Sequence, residues 1–196
     1  LGKYEVPQSQ DGAVRTDNNE SISIAPSRYT GPRRPVEKVS WAEANAFCAR
    51  LTHLEQIAGR LPTGWKYSLP TESEWEYACR AGTTSSYSWG ESISSANANY
   101  IKNVGQTTIV GQYPSNPWGF HDMNGNVWEW TEDWYDSNYK TSVGSDFIEN
   151  GVTSTKSIRG GGWSDPPEDV RSASRLGMVP TGRYNVLGFR LCLRSI

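Results

Sequence analysis

The chain has 196 residues, a formal net charge of −2 and a pI near 5.8. Its lysines and arginines are scattered, so the sequence lacks the basic patch that a nucleic acid or an anionic membrane surface requires. No apolar run reaches the roughly 18 residues of a membrane span. The length favours a single domain, residues 1–196, large enough to fold without disulfides, and we expect a monomer.

Composition indicates a loop-rich α+β domain. Nine tryptophans and ten tyrosines accompany nineteen glycines, which is typical of short elements with bulky rings filling the space between them. The first residue is Leu1 rather than methionine, so we interpret the chain as trimmed or processed. This interpretation is compatible with the removal of a leader peptide, so the sequence assigns no compartment.

Two amphipathic helices are predicted, each opened by a capping box. Ser40–Glu43 and Thr71–Glu74 both place glutamate three positions after a hydroxyl residue, so that the two side chains satisfy free amides of the first turn. Gly59 and Gly82 are placed to end these helices in left-handed caps. The predicted apolar stripes contain Ala44, Phe47, Cys48, Leu51, Leu54 and Ala58 in the first helix and Trp75, Ala78 and Cys79 in the second.

The remaining sequence predicts loops and short strands. Residues 61–69 contain Pro62 and Gly64 and indicate a loop with a short extended piece, and residues 83–99 indicate a surface loop. An Asn-Gly turn predicts a hairpin at residues 148–153. Further strands are predicted at Ser157–Arg159, Val170–Arg175 and Gly188–Leu193.

The most informative stretch is Asn116–Asp133, NPWGFHDMNGNVWEWTED, which combines aromatic rings with oxygen-bearing side chains. Carboxylate and amide oxygens are the hard ligands that Ca²⁺ prefers, and the rings supply apolar mass that holds an irregular loop in one shape. The oxygen ligands are Asp122, Asn124, Asn126 and Glu129, and the rings are Trp118, Phe120, Trp128 and Trp130. A calcium-pinned loop is therefore the first hypothesis.

Two other interpretations apply to the DMNGN segment. An EF-hand is ruled out because Val127 occupies the sixth position, where glycine makes the turn, and Asp133 the twelfth, where glutamate binds. A plain Asn-Gly turn leading into a strand remains open, because aromatic and smaller side chains alternate over residues 127–131.

Seven motifs are distributed along the whole chain. They are YEV at 4–6, PVEKVSWAEANAFC at 35–48, LPTESEWEYACRAGT at 69–83, YSWG at 87–90, the 116–133 stretch, RGGGW at 159–163 and GFR at 188–190. Their order and spacing resemble the sulfatase-modifying-factor, or formylglycine-generating-enzyme, domain family. The resemblance implies a C-type-lectin-like α+β fold with little regular secondary structure, two helices, small antiparallel sheets and bound calcium. The family strand that precedes YEV has no counterpart here.

The resemblance implies two calcium sites. The ligands of the first are the side chains of Asp122 and Glu129 and the carbonyls of Gly125 and Val127, and all four positions match. The ligands of the second are the Asn99 side chain, the Tyr100 carbonyl and a downstream aspartate. No acidic residue occurs from Ile101 to His121, so the second site lacks its carboxylate.

The founding enzymes of this family oxidise a sulfatase cysteine with two cysteines that bind copper(I). Both lie between the RGG motif and an Arg-x-x-x-Arg segment, and the matching interval here, Gly162–Arg175, contains no cysteine. Copper(I) needs soft thiolate ligands, which Ser164, Asp165 and Glu168 cannot replace. We therefore expect neither copper nor the founders' oxidase mechanism.

Three cysteines occur elsewhere, at Cys48, Cys79 and Cys192. The first two lie on the predicted apolar stripes and are interpreted as small buried hydrophobes. In secreted family members these two positions form disulfides. Here the partner of Cys79 aligns with Ser172, and Cys192 lies one residue beyond the partner of Cys48, which turns it to the other face of a strand. Three free thiols are expected.

Other catalytic centres are not indicated. His53 and His121 are the only histidines, so the three-histidine iron site of some relatives has no counterpart here. Gly160–Gly162 is not followed by the Lys-Ser/Thr of a phosphate loop, and no Ser-His-Asp motif is visible.

The resemblance implies that the family's substrate groove survives as a shape. Its residues here are Trp128, Gly162, Trp163, Ser164, Asp165, Glu168, Arg171, Arg175, Arg183 and Tyr184. Aromatic anchors mixed with charges suit an extended peptide or protein ligand. For Arg159, Arg175 and Arg190, the alternative is a structural role in holding the loops together.

Three functions are considered. The first is a calcium-stabilised, non-catalytic peptide-binding or scaffold module. The second is a formylglycine-generating oxidoreductase that acts on a sulfatase cysteine by a variant mechanism. The third is an accessory domain of a larger oxygen-dependent enzyme.

Overall fold

The computed structural model describes residues 1–15, 26–137 and 154–195. The hairpin predicted at residues 148–153 lies outside these ranges. Three α-helices are present: α1 (Gln8–Arg15), α2 (Trp41–Ile57) and α3 (Glu72–Arg80). The strands are β1 (Trp65–Ser68), β2 (Trp128–Trp134), β3 (Lys156–Arg159), β4 (Arg175–Met178), β5 (Leu187–Gly188) and β6 (Cys192–Ser195). No helix in the described ranges is long and apolar enough to cross a membrane.

Both predicted capping boxes are formed. Ser40 and Thr71 are the N-caps of α2 and α3, and in each case the glutamate three residues later bonds back to the cap amide. Gly59 follows α2 with a φ of 67°, as predicted. In α3 the left-handed cap is Ala81, with a φ of 47°, one residue before the predicted glycine.

The prediction of two helices missed α1. This helix begins after Pro7, whose carbonyl accepts hydrogen bonds from the amides of Gln10 and Asp11. Asp11 and Arg15 form a buried ion pair one turn apart. The sequence gives little sign of the helix because Gly12 lies inside it and lowers its intrinsic propensity.

A four-stranded sheet in the order β4-β3-β2-β5 forms the centre of the domain, and β1 pairs with β6 in a separate antiparallel ribbon. The β2–β3 and β3–β4 pairs are antiparallel. The β2–β5 pair is parallel, with Trp128 beside Leu187, so the sheet is mixed rather than antiparallel throughout.

Two of the predicted strands are wrong in extent. Val170 ends a 3₁₀ helix, Pro167–Val170, and the strand in this region begins only at Arg175. The predicted strand Gly188–Leu193 is divided between β5 and β6, which belong to different sheets. The second error arises because the hydrophobic pattern does not show where the chain changes from one sheet to the other.

The main core lies between α2 and the central sheet. Phe47 of α2 contacts Phe189 edge to face, with ring centroids 5.3 Å apart. Trp130 of β2 is completely buried and donates its indole N–H to the carbonyl of Val39 at 2.9 Å. This packing fixes β2, whose first residues belong to both candidate sites.

Candidate functional site

The predicted groove is centred on the contact between β2 and the loop after β3. The Asp165 carboxylate accepts two hydrogen bonds on Oδ2, from the indole N–H of Trp128 at 2.6 Å and from the amide of Gly162 at 2.8 Å. In addition, the backbone amide of Asp165 donates a hydrogen bond to the carbonyl of Gly162. Asp165 therefore closes the loop on itself and ties it to β2.

Trp163 is fixed from several sides. Its amide donates to the carbonyl of Asn126, and its indole N–H donates to the carbonyl of Asn185 at 3.1 Å. Its ring contacts Tyr29 edge to face at 5.7 Å. Neither Tyr29 nor Asn185 was predicted for the site. They lie 134 and 22 residues from Trp163 in the sequence, and no motif surrounds either of them.

Other predicted groove residues have partners of their own. Both oxygens of Glu72 in α3 accept hydrogen bonds from the guanidinium of Arg175. Arg183 donates to Glu43 at 2.9 Å, and Arg171 donates to the carbonyl of Glu168. The contacts of Arg175 agree with the alternative interpretation, a structural role in holding the loops together.

Four of the ten predicted groove residues are exposed, namely Glu168, Arg171, Arg183 and Tyr184. The side chain of Tyr184 is 47% exposed, and its backbone carbonyl accepts hydrogen bonds from the amides of Lys38 and Leu187. Ser164 is half-buried between Trp163 and Asp165. The structure thus brings Trp128, Gly162, Trp163 and Asp165 into direct contact, with Tyr184 available at the surface.

The predicted calcium loop has an unusual backbone. Asp122, Gly125 and Asn126 all have positive φ, at 55°, 99° and 65°. A side chain at Gly125 would collide with the backbone carbonyl of Asn99. The loop therefore depends on this glycine and on residues that tolerate left-handed backbone.

Asp122 fits the role of a calcium ligand. Its Oδ2 accepts a hydrogen bond from the Gly111 amide at 2.6 Å, whereas its Oδ1 is buried and has no hydrogen-bond donor among the residues that the structure describes. Burial raises the pKa of Asp122 to about 6, against the lowering effect of the Gly111 hydrogen bond. A buried carboxylate oxygen without a partner is costly, and a bound cation would remove that cost.

Glu129 is already engaged. Its Oε2 accepts hydrogen bonds from the indole N–H of Trp75 and from Arg190 Nε, both at 2.6 Å, and its Oε1 accepts one from Arg190 Nη2 at 2.6 Å. Because a carboxylate oxygen has two lone pairs, Oε1 retains capacity for one more partner. Glu129 can therefore share its charge between Arg190 and a cation.

The second predicted calcium set has weaker support. In the described part of the chain the buried Oδ1 of Asn99 has no donor, but the carbonyl of Tyr100 accepts a hydrogen bond from the amide of Asn103. Within residues 1–15, 26–137 and 154–195, no three His, Cys, Asp or Glu side chains are grouped so that they could hold a metal ion. Calcium at either set would depend on carbonyl ligands, and both sets remain predictions.

Glu5 was not predicted for the site. Although it lies 121 residues before Asn126 in the chain, it is completely buried and accepts a hydrogen bond from Asn126 Nδ2 at 2.7 Å. A second hydrogen bond joins it to the amide of Val127 at 3.2 Å. The signal in the sequence is the YEV motif, where a glutamate stands between residues of an otherwise apolar extended segment.

All three cysteines are buried free thiols. Burial raises the pKa of Cys48 to about 12 and that of Cys79 to about 11. Burial also raises the pKa of Cys192, which was expected on the opposite face yet lies near enough to Cys48 to contribute to its raised pKa. These thiols are inert by environment.

A large cavity lies away from the groove. Its volume is about 980 Å³, and its walls include α1, α2, β1 and the N-terminal segment. None of the predicted groove residues lines it. The cavity is therefore separate from the groove.

Similarity to known proteins agrees with this geometry. A family model described as sulfatase-modifying factor enzyme 1-like domain matches residues 2–195. The chain is 34% identical over 176 residues to the serine/threonine-protein kinase pkn1 of Chlamydia pneumoniae, and the match covers 84% of this chain and 24% of the kinase. It is 32% identical over 176 residues to the formylglycine-generating enzyme of Mus musculus, covering 80% of this chain and 43% of the enzyme.

Among solved structures, the chain resembles PvdO from Pseudomonas aeruginosa with a TM-score of 0.79 and 28% identity, covering 99% of this chain and 79% of PvdO. The chain spans less than half the length of the two curated relatives. These matches confirm the predicted α+β fold of the formylglycine-generating-enzyme type. The chain belongs to the sulfatase-modifying factor enzyme 1-like domain family.

Proposed function

We propose that this domain is a non-catalytic, calcium-stabilised module that binds an extended peptide or protein segment at the groove around Trp128 and Trp163. One observation carries the proposal. The loop between Gly162 and Arg175 contains no sulfur, and its Asp165 carboxylate is instead hydrogen-bonded to Trp128 and Gly162. Hard oxygen is a poor ligand for copper(I), so the family's redox chemistry has no support at this position.

The existing thiols do not compensate for this loss. Cys48, Cys79 and Cys192 are all buried, and burial raises the pKa of each thiol. A cysteine binds copper(I) as its thiolate, and a nucleophilic cysteine must be accessible. Neither requirement is met by these three residues.

The groove has the features of a recognition surface for an extended chain. The carbonyls of Trp163 and Asp165 accept hydrogen bonds from the amides of Lys102 and Ile101 at 2.8 Å, so this turn is held against a neighbouring segment. Tyr184 adds an exposed ring. Rigid aromatic anchors with a fixed backbone favour binding at low entropic cost.

Calcium has a structural role in this proposal. The ligands would be the side chains of Asp122 and Glu129 and the carbonyls of Gly125 and Val127. A bound Ca²⁺ supplies positive charge to buried carboxylates and links a loop of left-handed residues to β2. It would thereby hold the start of β2, where Trp128 contacts the groove.

A displayed peptide library panned against the intact domain, followed by calorimetry of the selected peptides, tests this function. We expect micromolar, one-to-one binding that Tyr184→Ala weakens several-fold, because an interface aromatic is lost. Tyr77→Ala, which also truncates an exposed tyrosine, is the control and should bind as the wild type does. Failure to select any binding peptide would contradict the proposal.

An oxidoreductase is the second candidate, favoured by the 32% identity to the mouse formylglycine-generating enzyme. It is separated from the first by incubating the domain with copper(I), oxygen and a cysteine-containing sulfatase peptide. Mass spectrometry would detect the aldehyde product. We expect none, and aldehyde formation would replace the non-catalytic proposal by the enzymatic one.

An accessory role is favoured by the match to only 24% of the chlamydial kinase, since a similar domain there forms part of a longer protein. A non-catalytic module would serve such a role through the same groove. The enzymatic part would then lie outside the present chain.

A further inference from the structure

Two lysines that are 64 residues apart in the sequence are tied to the backbone of the groove. The amide of Lys102 donates a hydrogen bond to the carbonyl of Trp163 at 2.8 Å, and the amide of Lys38 donates one to the carbonyl of Tyr184 at 3.0 Å. Both lysines have left-handed backbone, with φ of 60° and 61°, which is uncommon for residues of this type. The hydrogen bonds therefore hold both lysines at fixed positions beside the groove.

Two arginines extend this positive surface. The guanidinium of Arg28 lies 5.7 Å from the ring centroid of Tyr29, and that ring contacts Trp163 edge to face. Arg183 directly precedes Tyr184, and its side chain is 49% exposed. We call these four basic residues the basic rim: Arg28, Lys38, Lys102 and Arg183.

The carboxylates next to the basic rim are buried or engaged. Glu37 is completely buried and accepts a hydrogen bond from the amide of Tyr29 at 2.8 Å. Glu43 is 5% exposed and is paired with Arg183 at 2.9 Å. Asp165 accepts hydrogen bonds from within the groove. The other three members of the rim form no salt bridge within the described part of the chain, so the rim presents positive charge to solvent.

The other end of the groove has the opposite charge. Glu168 and Asp169 are exposed, three and four residues after Asp165. One cation, Arg171, is exposed beside them and donates to the carbonyl of Glu168. A carboxylate of a ligand is therefore attracted at the basic rim and repelled at this end, so that charge alone orients an acidic segment in the groove.

Apolar surface lies beside the basic rim. The side chain of Ile101 is 55% exposed, and its amide donates to the carbonyl of Asp165 at 2.8 Å. Tyr184 is 47% exposed next to Arg183. A peptide that combines an apolar residue with carboxylates matches both features. A nucleic acid matches them less well, because its phosphates continue along the whole strand and would also meet the acidic end of the groove.

We propose that the basic rim selects acidic ligands, so that the groove binds an extended peptide with carboxylates at the end beside Tyr184 and an apolar residue next to them. This ligand class rests on the peptide-binding part of the proposed function. Exposed charges attract a ligand before contact, so the rim should raise the association rate and make binding depend on salt.

The composition of the displayed peptides that the intact domain selects is the first test. We expect peptides with a net negative charge in which aspartate or glutamate lies next to an apolar residue. Selection of neutral or basic peptides would overturn the acidic ligand class while leaving peptide binding in place. Selection of no peptide would contradict the proposed function and the ligand class together.

The decisive variant carries Lys38→Gln and Lys102→Gln, which remove two charges and keep unbranched side chains on the left-handed backbone. Titration calorimetry with a selected acidic peptide should show binding about 3- to 10-fold weaker, as expected for the loss of two exposed charge pairs. The matched control carries Lys3→Gln and Lys66→Gln, which change the net charge equally on the N-terminal segment and β1. Its affinity should stay within about two-fold of the wild type, because distant charges are screened.

A neutralised copy of the selected peptide, with asparagine and glutamine in place of aspartate and glutamate, separates charge from structure. It should bind the wild type about 3- to 10-fold more weakly than the acidic peptide does. It should also bind the wild type and the rim variant equally, because the interacting charges are absent from the peptide. If the rim variant binds the acidic and the neutralised peptide with equal losses, the lysines act structurally and the ligand class is overturned.

A short single-stranded oligonucleotide tests the alternative class of polyanion. At an ionic strength of about 0.15 M we expect that it does not displace the acidic peptide from the wild type. Displacement would assign the basic rim to a nucleic acid and overturn the acidic peptide as its ligand.

Discussion

Glu129 and Arg190 form a completely buried ion pair in which both N–O distances are 2.6 Å. Arg190 also donates to the carbonyls of Gly2 and His121. One guanidinium therefore joins the N-terminal segment, the aromatic loop and β2. These contacts agree with the alternative interpretation of Arg190, a structural role in holding the loops together.

Replacing Arg190 with methionine should strongly destabilise the domain. The change leaves the Glu129 carboxylate buried without its partner, which commonly costs about 3–5 kcal/mol. Guanidinium chloride unfolding in EDTA gives the free energy without help from calcium. Arg60→Ala removes an ion pair whose arginine side chain is 64% exposed, and it serves as a control that should leave the midpoint nearly unchanged. Equal midpoints for the two variants would contradict a structural role of the buried pair.

Asp122→Asn should abolish the dependence of stability on calcium. Asparagine tolerates the left-handed backbone at this position and still accepts the hydrogen bond from Gly111, but it lacks the charge that a cation needs. Thermal unfolding in calcium and in EDTA should give two different midpoints for the wild type and one for the variant. Asp169→Asn, which removes an exposed carboxylate, should keep both midpoints. A full chelator response in Asp122→Asn would remove Asp122 from the site.

Asp133→Asn should raise stability at neutral pH. The Asp133 carboxylate accepts a hydrogen bond from the amide of Glu72 at 2.5 Å, which the asparagine oxygen can also accept. Burial raises the pKa of Asp133 to about 6. The folded state therefore holds this proton more tightly than the unfolded state, so the wild type loses stability as the pH rises from about 4 to about 6.

The measurement is urea unfolding of both proteins between pH 4 and pH 8. The difference in unfolding free energy should grow through that window to roughly 1–3 kcal/mol in favour of the variant at pH 7. Asp122, whose pKa is raised as well, contributes equally to both proteins and cancels in the difference. A difference that is independent of pH would show that Asp133 does not titrate in this range.

The native protein should resist thiol reagents. Burial raises the pKa of Cys48 to about 12 and of Cys79 to about 11, so at pH 8 the folded chain contains almost no thiolate at either position. Ellman's reagent should label fewer than one thiol per native chain in an hour and all three after denaturation. Rapid native labelling of one cysteine would identify an accessible thiol and reopen the oxidoreductase candidate.

The sequence predicted those parts of the domain that depend on local chemistry. The N-termini of α2 and α3 were correct because Ser40 and Thr71 bond within their own first turn. The family resemblance also identified Trp128, which lies in the 116–133 stretch, and Asp165, which follows the RGGGW motif. The structure showed their hydrogen bond, since they are 37 residues apart.

Contacts over longer separations were missed. Arg175 was assigned to the groove, but its partner Glu72 lies 103 residues earlier and is shared with the buried Arg159. Glu5 and Asn126 are separated by 121 residues. Pairing between buried charges depends on which elements meet in the fold, and no local pattern in the sequence records that choice.

Trp128→Phe should loosen the groove while preserving its ring. The change removes the indole donor to the Asp165 carboxylate, a hydrogen bond to a charged group worth about 1.5–3 kcal/mol. Because the amide of Gly162 donates to the same oxygen, its hydrogen exchange should accelerate when Asp165 is released. Amide exchange followed by NMR measures this directly, with Trp118→Phe at an exposed position as the control. Unchanged protection at Gly162 would mean that the loop holds Asp165 without Trp128.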